Sequence, residues 1–322
     1  MGNDTSFAEK PQGDNPWEVA IIGSGPAALT AAIYTTRGAA STLILGGEKW
    51  GGQLMLTTTV DNFPGFPEGV EGPDLMQKMR LQAERFGAEF IGKNVKGVDF
   101  EKNPFELLVG DGVYSAKTVI IATGSDTKWL GVPGEEKLIG RGVSSCAPCD
   151  APFFKSKKVL VVGGGDSAME EALVLTKYAQ EVIIAHRKDE FRASAAMQKK
   201  VLDGKKIKVL WNTEVKEFLG DNKLERVMLF DSKENKEYEE EFDGAFIAIG
   251  HIPATEIFSG KIELDEKGYV VKKKPQSNIR DGVFVAGDVH DYTYRQAITA
   301  AGYGCMAGMD ALRYLDKSSP WW

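Results

Sequence analysis

The sequence predicts an α/β protein built from two Rossmann-like folds, one inserted into the other. Three observations predict it. The run Gly23-Ser24-Gly25-Pro26-Ala27-Ala28 follows a short apolar stretch, 17–22, and precedes a helical pattern. The run Gly163-Gly164-Gly165-Asp166-Ser167-Ala168 repeats that arrangement about 140 residues later. Each copy is followed by an apolar run ending in glycine, Val119-Ile120-Ile121-Ala122-Thr123-Gly124 and Ala245-Phe246-Ile247-Ala248-Ile249-Gly250.

The elements follow in order. Residues 17–22 form a continuous apolar run stopped by a glycine loop, the signature of a buried parallel strand. Residues 29–37 are helical in pattern and 42–45 give the second strand, completing a β-α-β unit. Residues 159–162, 166–178 and 182–185 make the second unit. In both, backbone N–H groups at the helix N-terminus can hold a diphosphate. Thr123-Gly124 and Gly250 bring the returning backbone close to each ligand. Val283-Phe284-Val285-Ala286-Gly287-Asp288 is a further strand-to-loop step in the first fold. The predicted domains are therefore 17–125 with 250–322, and an inserted 126–249, after a disordered leader at 1–16. The two crossings, near Gly124 and Gly250, make a two-stranded linker able to hinge, because glycine absorbs dihedral change cheaply.

Composition excludes several classes of function. The chain has 322 residues, enough for two domains, and is 43% hydrophobic. No apolar run reaches the ~18 residues of a membrane span. A net charge of −7 argues against a nucleic-acid partner, which needs a basic face. The first residues lack the apolar core of a secretory signal and the arginine bias of a transit peptide. Three cysteines are too few for a disulfide scaffold and fit a reducing, cytoplasmic setting. No metal is expected: His186, His251 and His290 are the only histidines, and none stands at zinc-finger spacing. Cys305, in a small-residue helical stretch, reads as a buried inert thiol.

Chemistry concentrates in Cys146-Ala147-Pro148-Cys149-Asp150. A dithiol that cycles with a disulfide, placed between two dinucleotide folds, describes an electron relay with a flavin at one site and a nicotinamide at the other. Only a thiolate attacks, and a free cysteine near pKa ~8.5 is mostly protonated at neutral pH. Pro148 sets a tight loop that brings the sulfurs together. Asp150 is an acid suited to move a proton to or from a sulfur or the reduced flavin, or else a helix cap. At the first nucleotide site, Glu48 is the first acid after the second strand and a candidate for the ribose. At the second, the strand ends in His186-Arg187-Lys188, with Arg192 beyond. Cations there accommodate a 2′-phosphate, so NADPH is predicted over NADH.

These motifs together resemble the low-molecular-weight, FAD-containing thioredoxin reductases, over about 18–315. Gly51-Gly52-Gln53-Leu54 with Val60-Asp61-Asn62-Phe63-Pro64-Gly65 is similar to the family's flavin-flanking segment. Residues 163–171 and 186–192 are similar to its NADPH segment. Gly287-Asp288-Val289 with Tyr294-Arg295-Gln296-Ala297 is similar to its closing FAD segment. The resemblance implies that Gly23, Ser24, Gly25, Pro26, Ala27 and Asp288 hold the FAD diphosphate and ribityl chain. It further implies that Gln53, Asn62, Arg295, Gln296 and Ala297 line the flavin, that Gly52 and Leu54 are cofactor-binding residues beside them, and that Val95 touches the adenine. Thr123, Gly124 and Gly287 belong to the same site. Gly163, Gly164, Gly165, Asp166, Ser167, His186, Arg187, Lys188 and Arg192 form the NADPH site.

Cys149 then faces the flavin and Cys146 attacks the partner, a thioredoxin or similar small dithiol protein. The resemblance also implies a homodimer that swings its NADPH domain. The chain departs from the family at Pro148, Ala151, Pro152 and Lys188. Trp321 and Trp322 lie outside it, and the lysines at 272–274 read as a solvated turn. The implied activity is thioredoxin-disulfide reduction, with electrons passing from NADPH through FAD to the Cys146–Cys149 disulfide. The rivals are a flavin-dependent dithiol oxidase, a reductase of another small disulfide protein, and an idle redox sensor.

Overall fold

The structure, a computed structural model, describes residues 10–13, 15–57, 59–272 and 278–316. Most of the expected leader, two of the three lysines at 272–274, and Trp321 and Trp322 lie outside the described residues. The chain divides into two compact units, Met1–Asp126 with Ile252–Trp322, and Thr127–His251.

The elements of the first unit begin with β1 (Trp17–Ile22), α1 (Pro26–Arg37), β2 (Thr42–Leu45), α2 (Gly72–Arg85) and β3 (Glu89–Ile91). They continue with β4 (Val95–Asp99), β5 (Phe105–Val109), β6 (Gly112–Ile121) and the crossing strand β7 (Ser125–Thr127). The second unit contains β8 (Val143–Ser144), α3 (Ala147–Asp150), β9 (Lys158–Val162), α4 (Asp166–Leu175), β10 (Glu181–His186) and α5 (Ala195–Leu202). It goes on through β11 (Ile207–Trp211), β12 (Thr213–Leu219), β13 (Arg226–Asp231), β14 (Lys236–Glu241) and β15 (Gly244–Ile247). The chain returns through β16 (His251–Pro253) and closes the first unit with β17 (Asn278–Arg280), β18 (Val283–Val285) and α6 (Ala297–Leu315). The two passages, β7 and β16, pair as a two-stranded sheet.

In the first unit the strand order is β17-β18-β6-β1-β2-β3, with the β4–β5 hairpin added on β6. Ile22 at the end of β1 pairs in register with Leu45 of β2 and Ile121 of β6, both parallel. These three strands therefore finish level, and β1 lies where the strand order reverses. Ligands of doubly wound sheets bind outside such carboxyl ends. Val19, Ala20 and Ile21 are fully buried, as expected for a strand covered on both faces. Each Val or Ile so buried contributes about 1.5–3 kcal/mol. On one face α1 and α6 cross closely: a Cβ on Gly304 would lie 2.1 Å from the Ala27 carbonyl oxygen.

The second unit repeats the plan with strand order β8-β15-β9-β10-β11. Val162 of β9 pairs with Ala185 of β10 and Ile247 of β15, again parallel and level. Helices α4 and α5 cover one face around Met169, Leu175 and Val201. The antiparallel β12-β13-β14 sheet covers the other with Val215, Phe218, Val227 and Leu229. The sequence reading did not resolve this sheet. Its outer strand, Lys236–Glu241, is almost wholly charged and partly exposed, so it carries no apolar run. The α4 helix also stops at Leu175, three residues before the expected end. Thr176 turns its hydroxyl back to donate to the Leu173 carbonyl at 2.7 Å.

Candidate active site and nucleotide sites

At the end of β1, Gly23 adopts φ +124°, and a Cβ there would lie 2.1 Å from the Ala122 carbonyl oxygen. Only glycine fits. Gly25 caps α1 without any side-chain hydrogen bond to the first turn, and Pro26 opens the helix. Space for a side chain at Gly25 is open, so the N–H groups of the first turn face out and suit an anion. The Ser24 side chain is engaged within the protein. Its hydroxyl donates to the Gly46 carbonyl at 2.7 Å and accepts the Gly51 N–H at 3.0 Å. With its proton committed, Ser24 ties the glycine loop to the end of β2 and to the loop before Gly52.

Several of the predicted flavin residues of the first unit make side-chain hydrogen bonds. Asn62 donates to Gln296 Oε1 at 3.3 Å, and Gln53 donates to Asp126 Oδ1 at 3.0 Å. Gln296 caps α6, exchanging hydrogen bonds with Thr299 around Ala297. Arg295 holds φ +47°, an uncommon conformation for a bulky non-glycine residue. Gly287 turns the chain after β18, and Asp288 Oδ1 behind it is buried without a hydrogen-bond partner. Burial, then the neighbouring Asp291 carboxylate, push Asp288 up to about 7 against the pull of Arg295. A buried acceptor beside an open diphosphate cradle fits the polyol chain of FAD. Thr123 donates to the Ala254 carbonyl at 2.7 Å, and the Gly124 carbonyl accepts Ala254 N–H.

Glu48 is exposed just past β2, its N–H donating to Asn94 Oδ1 at 3.1 Å. Leu54 lies half-buried against the core under α1. Val95 opens β4, half-buried against the core on the opposite side of the sheet. His290 was not singled out from the sequence: both its ring nitrogens are buried without partners, and its ring meets Tyr303 edge-on at 4.5 Å.

In the second unit a Cβ on Gly163 would lie 2.4 Å from the Ala248 carbonyl oxygen, and Gly165 is open as Gly25 is. Gly165 caps α4 with no side-chain bond. Asp166 Oδ1 accepts the N–H and the hydroxyl of Ser194, at 2.9 and 2.8 Å, which holds its carboxyl below the usual range. Its role there is to join α4 to the start of α5. Ser167 is half-buried in the first turn.

The His186 ring turns inward under the glycine loop. The residue is buried, with Nε2 on the Glu190 carbonyl at 2.9 Å. Its ring fills the place a Cβ on Gly164 would occupy. Burial first, and the charges of Arg192 and Arg187 as well, push its pKa down, so the ring packs under the loop as a neutral group. Arg187, Lys188 and Arg192 are exposed. The Arg192 N–H donates to the Gly164 carbonyl at 2.8 Å, so that cation is pinned to the glycine loop.

The dithiol sits in the same unit. Cys146 and Cys149 are joined as a disulfide, with Cα atoms 5.3 Å apart. Cys146 caps the single turn α3, and Pro148 lies inside that turn, exposed to solvent. The N–H of Ala147 donates to Glu171 of α4, which fastens the turn to the helix of the nucleotide fold. Asp150 closes the turn. Its side chain does not cap the 3-10 turn that follows, Ala151–Phe154; it accepts the Ser144 hydroxyl instead. Burial pushes the Asp150 carboxyl up, and the Ser144 bond opposes that rise. A raised carboxyl next in sequence to a disulfide cysteine holds its proton more readily than a free one and is a candidate acid for the exchange. Ser144, Glu171 and Ser194 were not found from the sequence. Cys305 is half-buried, its Sγ 3.9 Å from Met309 Sδ, which corrects the expected burial.

Among the described residues no helix is long and apolar enough to cross a membrane. The family model for pyridine nucleotide-disulphide oxidoreductases matches residues 17–304. The chain is 50% identical over 299 residues to a thioredoxin reductase of Mycolicibacterium smegmatis, covering 92% of this chain and 96% of that one. It is 47% identical to a thioredoxin reductase of Rickettsia conorii, covering 93% and 98%. Among solved structures, thioredoxin reductase from Giardia duodenalis superposes with a TM-score of 0.88 at 40% identity, covering 94% and 99%. That from Streptococcus pyogenes gives 0.89 at 38%, covering 95% and 100%.

Proposed function

The chain belongs to the pyridine nucleotide-disulphide oxidoreductase family, and from that premise we infer that it works as an NADPH-dependent, FAD-containing thioredoxin-disulfide reductase. One observation carries the assignment: a bonded Cys146–Cys149 pair lies in the same unit as a glycine loop whose second strand runs into exposed Arg187 and Lys188. Bound FAD supplies a two-electron carrier between NADPH and the disulfide. The open first turn of α1 and the buried Asp288 acceptor hold its diphosphate and ribityl chain, and Asn62, Gln53 and Gln296 frame its ring.

The protein's own part in catalysis is thiol–disulfide exchange. The Cys146 thiolate attacks one sulfur of the oxidised partner, breaking that disulfide and forming a mixed one. Cys149 then attacks Cys146 Sγ, which releases the partner as a dithiol and restores the Cys146–Cys149 bond. The departing sulfurs need a proton, and Asp150, held up by burial, is the group placed to supply it. A thioredoxin is a suitable acceptor energetically, since a thioredoxin dithiol near −270 mV can be matched by a related pair.

The 2′-phosphate of NADPH goes to Arg187, Lys188 and Arg192, with Lys188 giving a point-charge contact and the arginines able to bind in fork geometry. The protein is proposed to act as a homodimer in the cytoplasm. The low cysteine count and a reductive cycle support the compartment, and sedimentation of the purified protein tests the dimer.

The deciding experiment is NADPH consumption with a thioredoxin in the absence of oxygen, against oxygen alone. Turnover that depends on thioredoxin is expected. Turnover with oxygen alone would assign a dithiol oxidase instead.

A further inference from the structure

Ser144 ends β8, two residues before Cys146. Its hydroxyl makes two hydrogen bonds at once. It accepts the Cys146 backbone N–H at 3.1 Å and donates to Asp150 Oδ2 at 2.5 Å. A backbone N–H only donates, so it takes one lone pair of the serine oxygen and leaves the hydroxyl proton free to point at the carboxyl. In that arrangement the hydroxyl donates to Asp150 Oδ2 and favours the ionised carboxylate.

We infer that Ser144 is a positioning residue for the disulfide chemistry: its hydroxyl holds the Asp150 carboxyl and, at the same time, fixes the backbone at Cys146. One side chain thus joins the first and last residues of the reactive turn. The inference rests on the acid role of Asp150 proposed above. Glu171, which accepts the next N–H in the turn, secures the same segment from α4.

The electrostatic consequence has a definite sign. Burial raises the Asp150 carboxyl, and the bond from Ser144 favours its ionised form and lowers it. Losing the hydroxyl removes the lowering influence alone, so Asp150 keeps its proton to higher pH. The other groups to be considered are few. From α4, Glu171 faces the turn, Asp166 is held by Ser194 and Glu170 is exposed. The 3-10 turn Ala151–Phe154 and strand β15 carry no titratable side chain. Cys146 and Cys149 titrate once reduced.

The test is the pH profile of kcat for thioredoxin reduction by the FAD-loaded enzyme, with Ser144→Ala, Ser144→Thr and Asp150→Asn compared with the parent. Asp150→Asn identifies the limb that belongs to the acid, by removing it. Ser144→Ala is expected to lose about tenfold in kcat, the worth of one hydrogen bond to a charged group, and to move that limb to higher pH, with the KM for NADPH unchanged. Ser144→Thr keeps the hydroxyl and restores both. A Ser144→Ala limb that stays at the parent's pH overturns the inference, and so does a threonine variant that behaves like alanine. Asp150→Asn with parental turnover would instead remove the acid role itself.

Discussion

Gly23 and Gly163 occupy the same place in two β-α-β folds, and a side chain at either would strike the carbonyl of the returning strand, Ala122 or Ala248. Two residues on, Gly25 and Gly165 both stand open, each capping a helix whose first N–H groups face outward. The two folds differ at the residue between. Ser24 uses its hydroxyl to staple the loop to Gly46 and Gly51. Gly164 instead makes room for the His186 ring. They differ again where the second strand ends, in Gly46-Gly47-Glu48 on one side and His186-Arg187-Lys188 on the other. The shared parts satisfy steric needs of any dinucleotide. On the proposed function the differing parts choose which one: a stapled loop near Asp288 for a resident flavin, and an exposed cationic strand end for a phosphorylated nicotinamide that must come and go.

The largest effect that can break this comparison lies outside both loops. Cys146→Ser should abolish thioredoxin turnover while NADPH still bleaches the flavin, as read by stopped-flow absorbance; loss of bleaching as well would mean the dithiol and nucleotide sites are not separable. Next come the paired substitutions Gly23→Ala and Gly163→Ala, each costing about 1–3 kcal/mol from overpacking against backbone. The first should yield protein that fails to retain FAD, the second yellow protein with a weakened response to NADPH. Identical defects would erase the division of labour. Arg187→Ala with Lys188→Ala should raise the KM for NADPH about 10- to 100-fold, for two lost charge-assisted contacts, and leave that for NADH nearly unchanged. Equal changes would remove the 2′-phosphate assignment. The smallest effect is expected from Ser24→Ala, which should weaken FAD binding about tenfold, near the value of one buried hydrogen-bond pair, measured by equilibrium dialysis. An unchanged affinity would make the staple incidental.

The parts legible in the sequence were those where one residue type has one physical use. Apolar runs ending at Gly23 and Gly163 gave both parallel cores, and the Cys146–Cys149 spacing gave the reactive turn. Asp150 was legible as an acid, but its partner was not. Ser144 is a common residue in a two-residue strand, and its importance comes from geometry that brings it back onto Asp150. Glu171 and Ser194 were hidden for the same reason, since each acts on a residue more than twenty positions away. For His186 the sequence showed only a basic residue beside Arg187 and Lys188, not the direction of its ring. Strand alternation sends it inward under Gly164, where burial keeps it neutral. The antiparallel sheet Thr213–Leu219 to Lys236–Glu241 was missed because charged, half-exposed strands leave no periodic apolar signal.

The central claim is that electrons from a phosphorylated nicotinamide reach the Cys146–Cys149 bond by way of FAD. An anaerobic titration of the FAD-loaded protein with NADPH, and separately with NADH, tests it when the flavin absorbance and the free thiols are followed together. The account predicts that NADPH bleaches the flavin at concentrations where NADH has little effect, and that two new thiols appear for each disulfide lost. A flavin that bleaches while Cys146 and Cys149 stay bonded would contradict it.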